Sequence, residues 1–299
     1  MVHPTLRSFE AFLKLEKGLS ISTLEAYLRD LQKLIEFLDI EQNDQSIESL
    51  SIVQLQEFIA YLNEIGLSAR SQARMISSLK SFYRFLVIEE LITEDPTLLL
   101  SSPKLEKALP SVLAHHEIDK LIAAIDHSTR EGIRNRAILE VLYACGIRVS
   151  ELCNLKLSNS YLEAGYLKIL GKGNKERLVP IGDEAIKHLN FYLQERAKMN
   201  NINEDAKDII FLNRRGKKIS RNMIFMIVKS LAQNAGIDRN ISPHTFRHTF
   251  ATHLIEGGAN LKVVQDLLGH RSIITTEIYT HLDMSYLKET IKMFHPRNS

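Results

Sequence analysis

The chain has 299 residues, more than one domain usually holds, and is 44% hydrophobic and 25% charged, which points to a globular protein with two ordinary cores. No apolar run is long enough to span a bilayer, and the opening MVHPTLRSFEAFLKLEKG mixes charged and apolar residues at helical spacing, unlike a secretory signal, so a cytoplasmic location is expected. Net charge is only +2, but residues 1–102 carry 9 basic and 15 acidic side chains and residues 103–299 carry 29 and 21, so the second part is basic enough to permit a polyanionic partner.

The first hundred residues read as helices alone. Leu6, Phe9, Phe12, Leu13 and Leu15 outline one, and STLEAYLRDLQKLIEFL opens a second with a capping box of Ser22 and Glu25. A third runs from Ser51, boxed with Gln54, towards Ile65. The fourth, Ser68 to Glu90, has two unlike faces: Met75, Ile76, Leu79, Phe82, Tyr83 and Leu86 are apolar, whereas Arg70, Arg74, Ser77, Ser81 and Arg84 are basic and hydroxylic, with no acid before Glu89. Such a stripe is either a solvated helix face or a surface laid along DNA phosphates.

A boundary is expected in SSPKLEKALP, Ser101 to Pro110, where two prolines bracket a charged, non-periodic stretch. The expected division is a helical domain over 1–102, a linker over 103–110 and a second domain over 111–299. In the second domain AHHEIDKLIAAID and EGIRNRAILEVLYACG read as helices, and Cys145 and Cys153 as reduced core thiols. YLKILGKGNKERLVPI, Tyr166 to Ile181, reads as two strands around a glycine-rich turn, and helices resume near Gly182. The fold class is therefore mainly α with a small antiparallel sheet in the C-terminal domain, an α+β arrangement.

The densest chemistry lies in SPHTFRHTFATHL, Ser242 to Leu254. Ser242 is a good N-cap, Pro243 a good first helical residue, and Gly257 with Gly258 supplies the stop. His244, Arg247 and His248 share one arc of that helix, and Phe246, Phe250, His253 and Leu254 lie roughly opposite. Two imidazoles four apart resemble a zinc pair, but Thr245 stands where a metalloprotease helix has its glutamate, and an arginine suits a metal site badly. Arginine and histidine near a helix N-terminus favour an anion such as phosphate, with structural histidines as the bland alternative.

Three further stretches carry reactive side chains. Arg148, in ACGIRVSELCNL, follows an apolar helix and has Glu151 three residues on as its simplest partner. Lys172 sits at the hairpin turn in GKGNKER, which lacks the P-loop spacing and taken alone is an ordinary solvated turn. In NLKVVQDLLGHRSIITTEIYTHL, Asn260 caps a short helix ending at Gly269, His270 lies at its exit, and Ser272 caps the segment carrying Tyr279. A phenol with a pKa near 10 is either a partly buried surface aromatic or a nucleophile, and the second role needs an electrophile already neutralised by cations.

In order, GIRVSEL, GKGNKERLVPI, SPHTFRHTFATHL and LLGHRSIITTEIYTH resemble the tyrosine recombinase (phage integrase) family, most closely its bacterial Xer branch, and the resemblance covers nearly the whole chain. It implies a four-helix, SAM-like core-binding domain followed by a catalytic domain. It also implies that Arg148 and Arg247 clamp a scissile phosphate, Lys172 is the general acid, His244 and His270 assist proton transfer, and Tyr279 is the nucleophile. No metal, ATP or other cofactor is implied. The implied partners are double-stranded DNA at a dif-like site, a second Xer-type recombinase in a tetrameric synapse, and a division-linked DNA translocase. A C-terminal segment with Leu287, Ile291, Met293 and Phe294 would dock on a neighbouring subunit. Arg70, Arg74 and Arg84 would meet DNA from the first domain, and Arg221, with Asn222 and Lys229, from the second. Two other readings share these residues: a mobile-element integrase or type IB topoisomerase, and a DNA-binding regulator that has lost catalysis, against which the intact set of reactive side chains speaks.

Overall fold

The computed structural model describes residues 4–41, 45–104, 111–171, 175–269 and 281–298. The chain divides into two compact units, Met1–Ala108 and Leu109–Ser299. Among the described residues no helix is long and apolar enough to cross a membrane.

The first unit contains α1 (Pro4–Leu15), α2 (Ile21–Ile40), α3 (Ile52–Glu64) and α4 (Ala69–Ile88). Each helix contributes an apolar stripe at three- and four-residue spacing, and the stripes meet around Phe9, Leu34, Phe58 and Phe82. The rings of Phe9 and Phe82 pack edge to face with centroids 5.2 Å apart. Ser51 and Gln54 form the expected capping box at α3, with Gln54 N–H donating to Ser51 Oγ (3.4 Å) and Ser51 N–H to Gln54 Oε1 (2.9 Å). At α2 the expected Ser22 box is replaced. The helix begins at Ile21, and Ser20 is the cap, accepting from Thr23 N–H at 3.4 Å. Ser20 prevails because Thr23 offers it both a backbone donor and a hydroxyl partner at 2.8 Å.

The second unit begins with α5 (His115–Ala123), α6 (Arg130–Cys145) and α7 (Val149–Cys153). It continues through β1 (Ser160–Tyr161), β2 (Tyr166–Leu170), β3 (Glu176–Pro180), α8 (Asp183–Ala197), α9 (Arg221–Asn234), α10 (Pro243–Gly257), α11 (Leu261–Leu268) and α12 (His281–Phe294). The three strands form an antiparallel sheet in the order β1-β2-β3, with Leu167 opposite Val179 and Ile169 opposite Arg177. From Ala137 to Cys145 every residue of α6 is buried, which makes it the central helix of this unit, packed on α8 and α10. Cys145 and Cys153 are both buried free thiols. Burial pushes the Cys145 thiol up to about 12, so it behaves as a small hydrophobe.

The C-terminal segment lies on its own chain. Leu287 and Ile291 are buried with Phe250, Leu254 and Val264, Phe294 is half-buried beside Gly257 and Gly258, and Met293 is exposed. In this chain their buried members cover the outer apolar face of α10. Beyond the helix, the His295 ring is buried with Nε2 at 3.2 Å from the Tyr143 carbonyl, and Arg297 Nη2 donates to Asp119 Oδ1 at 3.0 Å.

Candidate active site

The turn between α6 and α7 positions the first arginine. Gly146 ends α6 in the left-handed region (φ 55°), and a Cβ there would lie 2.2 Å from Phe250 Cδ1, so glycine is what lets the turn sit against α10. Two residues later Arg148 occupies the N-cap of α7. Its backbone N–H donates to Glu151 Oε2 (2.8 Å) and its Nη1 to Glu151 Oε1 (2.9 Å), so the partner expected from the sequence is the one observed.

Arg247, on the second turn of α10, reaches the same turn from the other side. Nη1 donates to the Gly146 carbonyl at 2.8 Å and Nη2 to the Leu268 carbonyl at 2.6 Å, joining the end of α6 to the end of α11. Burial, with Arg148 adding to it, pulls the Arg247 guanidinium down to about 10, against an opposing contribution from Glu151. It is still charged at neutral pH.

A third arginine anchors the partner of the first. Arg177, 8% exposed, grips Glu151 with Nη1 on Oε1 and Nη2 on Oε2, both at 2.9 Å, and its Nε donates to the Leu267 carbonyl at 3.3 Å. The Glu151 carboxylate thus accepts from Arg148 twice and from Arg177 twice. Burial pushes the Glu151 carboxyl up, but the hydrogen bonds and charge of Arg177, then Arg148, outweigh it and leave the group below its ordinary value. Gly269 closes the cluster, since a Cβ on it would lie 3.1 Å from Arg177 Cδ, and its φ of 65° ends α11.

The sequence reading missed Arg177. The signal was available in ERLVP: with Val179 facing the core, the two-residue period puts Arg177 on the same face, opposite Ile169. An inward arginine in a short strand requires a carboxylate partner.

His244 is exposed in the first turn of α10, where Pro243 leads the helix and Thr245 Oγ1 accepts from the Ser242 N–H at 3.1 Å. His248 is half-buried and makes no hydrogen bond among the described residues. His253 is the structural histidine, with Nδ1 at 2.8 Å from the Tyr143 hydroxyl. Among the described residues no group of three or more His, Cys, Asp or Glu side chains is placed to hold a metal ion. Lys172, His270 and Tyr279 lie outside the described residues.

Among the arginines expected at DNA, Arg221 is exposed at the first position of α9, and Arg70 and Arg84 are exposed on α4. Arg74 differs. Its Nη1 lies 3.0 Å from Oδ2 of Asp30, a carboxylate only 1% exposed that also accepts from Ser78 Oγ at 2.7 Å. Burial pushes the Asp30 carboxyl up, and Ser78 and Arg74 oppose it, so Arg74 has a structural task on this helix.

Arg148 and Arg177 therefore share one carboxylate, and Arg247, bonded to the Gly146 carbonyl of the same turn, leaves excess positive charge there. Arg148 and Arg247 spend few of their five N–H donors on described acceptors. Fixed guanidiniums in excess of their counter-charge, beside the N-terminal half of α10, make a site for a phosphate-like oxyanion.

Comparison with known proteins identifies the family. Residues 111–285 match the phage integrase family, and residues 6–90 match the phage integrase N-terminal SAM-like domain. Tyrosine recombinase XerD of Listeria monocytogenes serotype 4b (strain F2365) is 40% identical over 292 residues, covering 98% of each chain. XerD of Staphylococcus aureus (strain N315) is 41% identical over 292 residues, again covering 98% of each. Among solved structures, XerH site-specific recombinase bound to a palindromic difH substrate, in a post-cleavage complex, is 25% identical with a TM-score of 0.69, covering 96% of this chain and 84% of that one. With both parts of the chain matched and near-complete coverage of these relatives, the chain belongs to the phage integrase family and is a tyrosine recombinase.

Proposed function

We propose that the chain cuts and rejoins double-stranded DNA through a 3′-phosphotyrosyl intermediate, and that it resolves chromosome dimers at a dif-like site during segregation. The observation that carries the chemistry is the pair Arg148 and Arg247, held on opposite sides of one turn with more positive charge than Glu151 neutralises. The Tyr279 oxygen attacks the scissile phosphorus, the bond to the 5′ oxygen breaks, and Lys172 gives that oxygen its proton. Arg148 and Arg247 bind the nonbridging oxygens, whose charge grows towards the transition state, and each such contact is worth about 3 kcal/mol. His244 and His270 carry protons and hydrogen-bond the phosphate, contributing roughly 10²–10⁴-fold. Because the phosphotyrosyl bond keeps the energy of the broken linkage, the 5′ hydroxyl of a second strand reverses the step without ATP.

The cellular role is supported by the identity to XerD proteins and by a neighbour whose complex contains difH. A tetrameric synapse with a second Xer-type recombinase and activation by a division-linked translocase belong to the same reading. Arg70, Arg84 and Arg221 would contact the duplex, with Arg74 contributing only what Asp30 leaves free. The test is strand exchange between two duplexes that carry a site selected by this protein, incubated with the companion recombinase in EDTA. Recombinant duplexes are expected; nicking and relaxation without exchange would contradict the recombination role.

A further inference from the structure

At the other end of α6 from the arginine cluster lies a cavity of about 410 Å³ lined by residues of α6, α8 and the segment around Leu212. At 1.5 Å per residue, Arg134 in this cavity is about 16 Å along the helix from Cys145, so the cavity is separate from the site above. Its walls hold two buried guanidiniums, Arg134 (8% exposed) and Arg196 (7% exposed). Neither makes an ion pair among the described residues. Arg134 donates only to the Leu212 carbonyl (3.2 Å) and the Asn135 side chain, and Arg196 only to the carbonyls of Ile209, Ala206 and Lys207.

Buried arginines normally meet a carboxylate, because an uncompensated charge out of water costs several kcal/mol. Here the two acids of the lining do not fill that place. Glu195 is paired with Arg130 at 3.6 Å and with Lys198, while Glu131 is exposed and acts on Arg134 through its field without forming an ion pair. Arg214 adds a further cation to the lining. Counting five N–H groups per guanidinium, Arg196 Nη1 donates to no described acceptor and each terminal nitrogen of Arg134 retains one N–H. Tyr192, Met199 and Leu212 supply apolar wall beside these donors, the usual make-up of a small-molecule site, and the volume falls in the usual range.

We infer that this cavity binds a phosphate-bearing small molecule, whose oxyanion sits on Arg134 and Arg196 and supplies the counter-charge that the chain does not. The inference stands on this cavity alone and does not require the DNA reading. The concave setting of these two guanidiniums favours a small molecule over a duplex phosphate, and the test separates the two directly.

The test is calorimetric titration of the full chain with inorganic pyrophosphate and with ADP, repeated after saturation with a duplex carrying the recognition site. Saturable binding of one molecule per chain is expected, unchanged by the duplex, and weakened roughly tenfold or more by Arg196→Gln. Should Arg196→Gln fail to fold, the exposed pair Lys198→Glu and Arg214→Glu carries the same expectation. Tighter binding of ADP than of pyrophosphate would identify a nucleoside phosphate, and equal binding would assign the affinity to the phosphates; both support the site. Absence of saturable binding, binding indifferent to these substitutions, or displacement by the duplex would each overturn it.

Discussion

Arg177 and Glu151 meet through two parallel hydrogen bonds of 2.9 Å, and the same carboxylate holds Arg148 at the mouth of the site. The buried pair is thus a bracket for Arg148, the arginine proposed to clamp the phosphate. Replacing Arg177 by Met leaves Glu151 and Arg148 without their anchor. Loss of one partner of a buried pair costs about 3–5 kcal/mol, so urea unfolding of Arg177→Met should show a marked fall in midpoint. DNA cleavage should fall further than DNA affinity, and Arg177→Lys, which keeps charge but not the bidentate geometry, should recover stability only in part.

Gly146 is the second structural determinant of Arg148. Gly146→Ala puts a methyl 2.2 Å from the Phe250 ring in a backbone of φ 55°, so left-handed strain and overpacking add. The expected loss is about 2–4 kcal/mol, measured by thermal or urea unfolding. Phe250→Leu in the same chain should recover part of it, because the clash is with that ring; no recovery would place the cost in the backbone alone.

His295 should make stability depend on pH. Its burial, helped by His253, Arg297 and His115 and opposed by the Tyr143 carbonyl, holds its pKa at about 4, against about 6.5 when unfolded. The unfolded chain therefore takes up this proton first as pH falls. Stability is constant above about pH 7 and is lost between about 6.5 and 4, by about 3 kcal/mol in total from this group. Burial pushes His188 and His253 in the same direction, so the wild-type slope contains all three. His295→Gln, which keeps a donor for the Tyr143 carbonyl, should flatten the urea midpoint over that range without abolishing the share of His188 and His253.

The basic stripe of α4 should split by residue. Arg70→Ala and Arg84→Ala should weaken DNA binding and lower its salt dependence, by about one unit of slope for each phosphate no longer neutralised, with little change in stability. Arg74→Ala should instead destabilise the first unit, because Asp30 is 1% exposed and loses its ion pair. Fluorescence anisotropy across a salt series, beside unfolding curves, separates the two behaviours.

These contrasts also mark what sequence reading reaches. Local chemistry was legible: Ser51 and Asn260 as caps, Pro243 at a helix start, glycines at 258 and 269 as stops, and two strands flanking GKGN follow from nearest-neighbour rules. The helical period put Arg247 on the face of α10 opposite the buried Phe246 and Phe250. What escaped depends on distant partners. Arg177 and Glu151 are 26 residues apart, and Arg74 and Asp30 are 44 apart, so no local period joins them. Ser20 displaced Ser22 as a cap for a reason visible only once Thr23 was seen to supply two partners.

Everything proposed about the chemistry turns on Tyr279 as the nucleophile of a phosphate clamped by Arg148 and Arg247. It is measured by trapping on a nicked suicide duplex in EDTA, with the covalent protein–DNA species resolved on denaturing gels for the wild type, Tyr279→Phe and Arg247→Ala. The wild type should form a 3′-phosphotyrosyl adduct. Tyr279→Phe should form none, with DNA affinity nearly intact, and Arg247→Ala should form it more slowly by roughly 10²-fold or more with only a modest loss of affinity. An adduct that persists in Tyr279→Phe, or one that forms only when a divalent metal is supplied, would contradict this chemistry.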